Sequence, residues 1–206
     1  MSLVTETSES IAQPSAVPTV SIWRLSVEQY HEMIRVGIIA EDDPLELLDG
    51  WLVPKMTKSP SHSTVTDLVR RALEKVLPAG WFARPQDVIT LSTSEPEPDV
   101  AIIRGDARQY FDRHPGPADL ALVVEISDSG LQRDQVFKKA LYARDGIQIY
   151  WIVNLVERRV EVYTDPTGAV EHADYRKRED FGPADSVPLL MEQREVLRLW
   201  VAELLP

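Results

Sequence analysis

Two carboxylates occupy positions from which burial should exclude them. Glu125 stands near the end of the apolar run LALVVEIS (120–127), and Asp99 stands at the start of another, PDVAIIR (98–104). An ionised side chain at the edge of a core is expensive unless it is paired, and two unpaired acids would repel and take up protons. If the two runs are neighbouring strands, the acids meet, and a divalent cation would remove the penalty. Two carboxylates, a backbone carbonyl and several waters form the oxygen-only surroundings that magnesium prefers. The competing reading pairs each acid with an arginine or a backbone donor at a strand end. Downstream, RDQVFKKALYARDG (133–146) carries Asp134, Lys138 and Tyr142 at four-residue steps, hence on one face of a helix. A Lys138 ammonium aimed at the acids would orient a nucleophile and offset charge developing around phosphorus. The bland alternative is a surface Asp134–Lys138 pair of little energetic weight.

The elements that must position these groups follow from the hydrophobic pattern. The first twenty residues, MSLVTETSESIAQPSAVPTV, are rich in Ser, Thr and Pro and read as a flexible tail over 1–21, with one domain over 22–206. Ser26 caps a helix in SVEQYHEMIRVG, which Gly37 ends. LELLDGWLVPK then holds two short apolar runs around Asp49-Gly50, a dipeptide suited to a hairpin turn, with Glu46 on the first strand. Val65, Leu68, Val69, Ala72, Leu73, Val76 and Leu77 recur at helical spacing before Pro78 and Gly80. DVITL, PDVAIIR and LALVVEIS are strand candidates, and a second helix spans about Gln132 to Arg144. QIYWIVN and RVEVYTD pair through a short turn, AVEHADYR is a weaker strand, VLRL is strand-like, and WVAELL ends the chain as a short helix. Helices on both sides of mostly sequential strands give an α/β fold with a mixed sheet.

Composition narrows the function classes. The 206 residues contain no cysteine, which excludes disulfides and thiolate chemistry. A formal net charge of -11 argues against nonspecific coating of nucleic acid, although it permits a local basic groove. No apolar run approaches the length of a membrane helix and no signal peptide is recognisable, so a cytoplasmic protein with no membrane association is expected. His62, at the start of the 65–77 helix, would be kept neutral by the helix N-terminus and is an auxiliary base candidate. Arg70, Arg71, Arg133, Lys139 and Arg144 are candidates for phosphate contacts, against the reading of solvated helix charges.

Taken together, PLELLDGWLVPKM, SPSH, EPDVAII, DLALVVEIS, RDQVFKKALYARDGI and YWIVN resemble the Uma-two family of putative restriction endonucleases, within the PD-(D/E)XK nuclease superfamily. The likeness runs from about Trp23 to the C-terminus. It implies a restriction-endonuclease-like mixed β-sheet core flanked by helices, and Mg2+- or Mn2+-dependent cleavage of DNA. It further implies Glu46, Asp99 and Glu125 as acidic, metal-facing residues and Lys138 as the site lysine. The chain departs from the superfamily motif two positions after Glu125, where Ser127 stands in place of lysine; in similar proteins the next helix supplies it, which points to Lys138, with Lys139 as fallback and Asp134 as an auxiliary acid. A homodimer is expected, with WVAELL and the aromatic residues of YWIVN as its interface, because two sites can then face two strands. A noncatalytic binding or regulatory module on the same fold is the alternative function.

Overall fold

The computed structural model describes residues 22–40, 42–191 and 194–206. The tail expected over 1–21 lies outside the described residues. A six-stranded mixed sheet has the order β3-β4-β5-β6-β7-β8, with β3 Trp81–Pro85, β4 Val100–Arg104, β5 Leu120–Ser127, β6 Ile149–Asn154, β7 Arg159–Pro166 and β8 Tyr175–Phe181. Only β5 and β6 run parallel; every other neighbouring pair is antiparallel. The parallel step requires a crossover, and the segment 128–148, which contains the second helix, supplies it.

The two faces of the sheet are covered differently. On one, Val100, Ile102, Leu122, Val124, Trp151 and Val153 pack against the helix α2 (Pro60–Glu74), the hairpin of β9 (Ser186–Met191) and β10 (Arg194–Trp200), and the short helix α4 (Val201–Leu204). On the other, Ala101, Ile103, Val123, Tyr150 and Ile152 pack against Tyr142 and Ala143 of α3 (Lys139–Arg144). Because β5 lies mid-sheet with both faces covered, all eight of its residues are buried. That explains its near-continuous apolar sequence. A smaller cluster joins α1 (Val27–Arg35) to the hairpin of β1 (Leu45–Leu48) and β2 (Trp51–Pro54). Asp49 and Gly50 both adopt positive φ in its turn, and a Cβ on Gly50 would lie 2.6 Å from that of Arg24.

Several expectations need correction. DVITL is no strand: Ile89 and Leu91 are buried, but their amides bond to Pro96 and Ser94 within an irregular loop. The strand in this region is WFARP, β3, which lies between the helix breakers and DVITL. AVEHADYR is mostly turn, and β8 begins only at Tyr175. The YWIVN strand, β6, is buried at every residue inside the sheet, so its aromatic side chains have no surface with which to form an interface. In WVAELL, Trp200 is exposed while Val201, Leu204 and Leu205 are buried against the main core.

Candidate active site

Asp99 and Glu125 come together through strand register. β4 and β5 are antiparallel with Val100 opposite Val124, so one further step sets Asp99 beside Glu125. Both share the sheet face of Ala101 and Val123, the one covered by α3. Both acids are buried. Asp99 Oδ2 accepts the Ile126 amide at 2.8 Å and lies 3.0 Å from His62 Nε2. Glu125 Oε1 accepts from Lys138 Nζ at 2.8 Å and from the Tyr142 hydroxyl at 2.7 Å.

The helix expected over 132–144 does not begin as an α-helix. Residues Arg133–Lys138 form a π-helical turn that runs directly into α3, and the Lys139 amide reaches back to the Asp134 carbonyl. Such turns are rare and recur at functional sites. Asp134, Lys138 and Tyr142 are all buried, whereas Val136 on the other side is exposed. The four-residue spacing thus marks the face that meets the acids. Ser127 donates to Asp134 Oδ2 at 2.7 Å. The cation that reaches Glu125 comes from Lys138.

Electrostatics at this face are dominated by burial. Desolvation pushes Glu125 up to about 8, with Lys138 pulling it down and Asp134 and Asp99 pushing it further up. Burial likewise raises Asp134, opposed by Lys138 and Ser127. Burial disfavours the Lys138 ammonium, but Glu125, Glu46 and Asp134 outweigh it and hold the amine above its ordinary range. Lys138 therefore stays cationic, and the acids compete for its charge.

The other sequence candidates separate clearly. His62 sits in the first turn of α2, whose N-cap Ser59 accepts the His62 amide at 3.1 Å, and its ring faces Asp99. Glu46 lies on the cleft wall, where Arg133 binds it in a salt bridge. Lys139 points away, to Asp174 at 2.8 Å and over the Tyr163 ring, so the fallback lysine does not enter the site. Arg70 and Arg71 pair with Asp67, and Arg144 pairs with Asp49; of the five basic candidates only Arg133 lines the cleft. Sequence reasoning missed Lys55, Lys58, Glu97 and Asp128, which also line it. The SPSH segment was a usable signal, because Lys58 immediately precedes it and its Ser59 donates to Asp128 at 2.6 Å.

The donor set suits a hard divalent cation. Both contacts of Glu125 fall on Oε1 and both of Asp99 on Oδ2, so Glu125 Oε2 and Asp99 Oδ1 have no hydrogen-bond partner among the described residues. Both residues line the cleft. Six acidic side chains line that cleft (Glu46, Glu97, Asp99, Glu125, Asp128 and Asp134) against four basic ones (Lys55, Lys58, Arg133 and Lys138), an excess of two acidic groups. Among the described residues no three His, Asp or Glu side chains converge on one point that could hold a metal ion. Magnesium commonly takes only one or two carboxylates and keeps waters, a requirement that a pair such as Asp99 and Glu125 could meet.

The fold is a mixed sheet flanked by helices, with Asp99 and Glu125 at adjoining strand ends and Lys138 of the next helix on Glu125. The family model described as "Putative restriction endonuclease", Uma2, matches residues 27–196, and the chain belongs to that family. A crystal structure of a putative nuclease belonging to DUF820 from Anabaena variabilis ATCC 29413 has a similar fold. Its TM-score is 0.64 at 18% identity, covering 87% of this chain and 97% of that one. No curated protein matches the chain. No described helix is long and apolar enough to cross a membrane.

Proposed function

We propose that this protein is a divalent-cation-dependent endonuclease that hydrolyses phosphodiester bonds in DNA. The observation that carries the reading is the pair Asp99 and Glu125 on a cleft that Lys138 also lines, each with one oxygen committed to protein donors and the other without a hydrogen-bond partner among the described residues. Those two carboxylates would hold Mg2+ or Mn2+, which when bound neutralises the substrate phosphate and polarises its P–O bond. Lys138 holds its ammonium against Glu125 and would orient the nucleophile and stabilise charge on the phosphoryl oxygens. His62 fixes Asp99 from the α2 side, and Glu46 offers a further carboxylate once Arg133 lets go of it. Membership of the Uma2 family supports nucleic acid as the substrate. We place the protein in the cytoplasm, acting as a homodimer; sedimentation as a monomer at micromolar concentration would remove the dimer.

One observation favours a noncatalytic binding module instead: Arg133 already neutralises Glu46. Incubating plasmid with purified protein and Mg2+ or Mn2+ decides between the two. The nuclease reading expects nicking or linearisation that Asp99→Ala and Glu125→Ala abolish while both variants stay folded. Cleavage that persists in both variants removes the mechanism; no cleavage and no calorimetric cation binding at millimolar concentration favours the module.

A further inference from the structure

Glu161 on β7 is completely buried, yet its surroundings hold it charged. Burial pushes its carboxyl up, but Tyr163, Asn154, Gln135 and the Arg178 guanidinium outweigh burial and hold it below the ordinary glutamate range. The Tyr163 hydroxyl donates at 2.7 Å, Asn154 Nδ2 at 2.8 Å, and Gln135 Nε2 to both carboxylate oxygens at 2.8 and 3.0 Å. Arg178 lies 3.3 Å away. A carboxylate accepts from several donors and has no hydrogen of its own to place, which suits this position better than an amide would.

Asn154, Tyr163 and Arg178 belong to the sheet itself, on β6, β7 and β8. Gln135 does not. It belongs to the π turn, next to Asp134 and three residues before Lys138, and Glu161 is its only side-chain partner among the described residues. Strand register sets Glu125 opposite Ile152 and Ile152 opposite Glu161, so the two acids stand in one row across the sheet, two strands apart. On the inner side the turn is held by Lys138 on Glu125, Ser127 on Asp134, the Tyr150 hydroxyl on the Asp134 carbonyl and the Arg133 bridge to Glu46; on the outer side Gln135 holds it to Glu161. Lys139 adds to the outer grip, since its ammonium sits 5.5 Å from the centre of the Tyr163 ring whose hydroxyl bonds Glu161.

We propose that Glu161 is a positioning residue for the candidate active site: through Gln135 it fixes the roll of the π turn so that Asp134 and Lys138 face Asp99 and Glu125. The proposal rests on the nuclease reading for its effect on rate, but the grip itself is independent of that reading. A network serving the sheet alone would need no donor from the turn. With Gln135 removed, the turn loses its anchor on Glu161 and its outer side can shift against the inner contacts of Asp134 and Lys138.

The full chain tests this with Gln135→Ala, at a half-buried position, and Gln135→Arg, which keeps a donor toward Glu161. Two readouts are needed: plasmid cleavage with Mn2+, and amide hydrogen exchange across 133–139 without metal. Misplacement of a positioned group by about 1 Å can cost up to about 100-fold. Gln135→Ala should lower kcat by about tenfold or more with KM within about twofold, and exchange in 133–139 should quicken while β5 is unchanged. Gln135→Arg should recover most of both. Wild-type kcat in Gln135→Ala, a rate loss without faster exchange, or faster exchange without a rate loss each overturns the proposal. If the wild-type protein cleaves nothing, the nuclease reading fails by itself; unchanged exchange in Gln135→Ala would then overturn the grip as well, and faster exchange confined to the turn would support it.

Discussion

Replacing Lys138 by Met removes an ammonium while keeping most of the side-chain volume, and it isolates the electrostatic cost of the buried pair. Glu125 would lose the Lys138 contact at 2.8 Å and keep only the Tyr142 hydroxyl at 2.7 Å. Breaking a buried ion pair by deleting one partner costs about 3–5 kcal/mol when the remaining charge stays ionised. That is a large share of the roughly 5–15 kcal/mol that holds a domain folded. Glu125 has an escape, because burial already pushes its carboxyl up to about 8, and without Lys138 it moves higher. Its folded value is raised, so the folded chain keeps a proton that the unfolded chain releases above about 4.3, and stability falls as pH rises from there toward the folded value. Wild type and variant both keep that proton up to about pH 8, so the loss in Lys138→Met should be flat below pH 8 and grow above it, where Glu125 ionises beside Lys138 in the wild type but stays protonated in the variant. Urea denaturation in metal-free buffer at several pH values, on wild type, Lys138→Met, Glu125→Gln and the double variant, measures both effects. The double variant carries a neutral pair and should be more stable than the sum of the singles by about 2 kcal/mol. Additive losses, or a Lys138→Met penalty that ignores pH, would refute the buried pair.

Ser59→Ala removes the N-cap of α2 and the hydroxyl that binds Asp128, so thermal denaturation should show a loss of about 1 kcal/mol. Glu161 is the opposite case to Glu125. Its carboxyl is held low, so its contribution to stability is present above the unfolded value of about 4.3 and is lost as pH falls through the folded value. Glu161→Gln should destabilise the protein at neutral pH and flatten the acid limb of a stability–pH curve; an unchanged limb would count against the buried, charged state.

The parts of the fold legible in the sequence are those whose burial leaves a periodic trace. LALVVEIS reads as a strand covered on both faces because it lies mid-sheet, and its Glu125 stands out for the same reason. Asp134, Lys138 and Tyr142 read correctly as one face, because a four-residue step stacks them. The π character of their turn left no trace, since the same spacing suits an α-helix. DVITL misled because alternation reports burial rather than strand pairing, and an extended loop can bury Ile89 and Leu91 equally well. Glu161 was passed over because RVEVYTD alternates like a strand with a solvated face, whereas Gln135 of the turn and side chains of β6, β7 and β8 surround it. The Arg133–Glu46 bridge joins residues 87 positions apart, which no local pattern can reveal.

The central claim is that Asp99 and Glu125 turn free oxygens toward one shared cation. Anomalous diffraction from crystals of the full chain grown with Mn2+ tests it directly. The account expects a single strong peak between those two side chains, lost in Asp99→Asn. Manganese bound elsewhere, or a cleft without a peak at millimolar Mn2+, would contradict it.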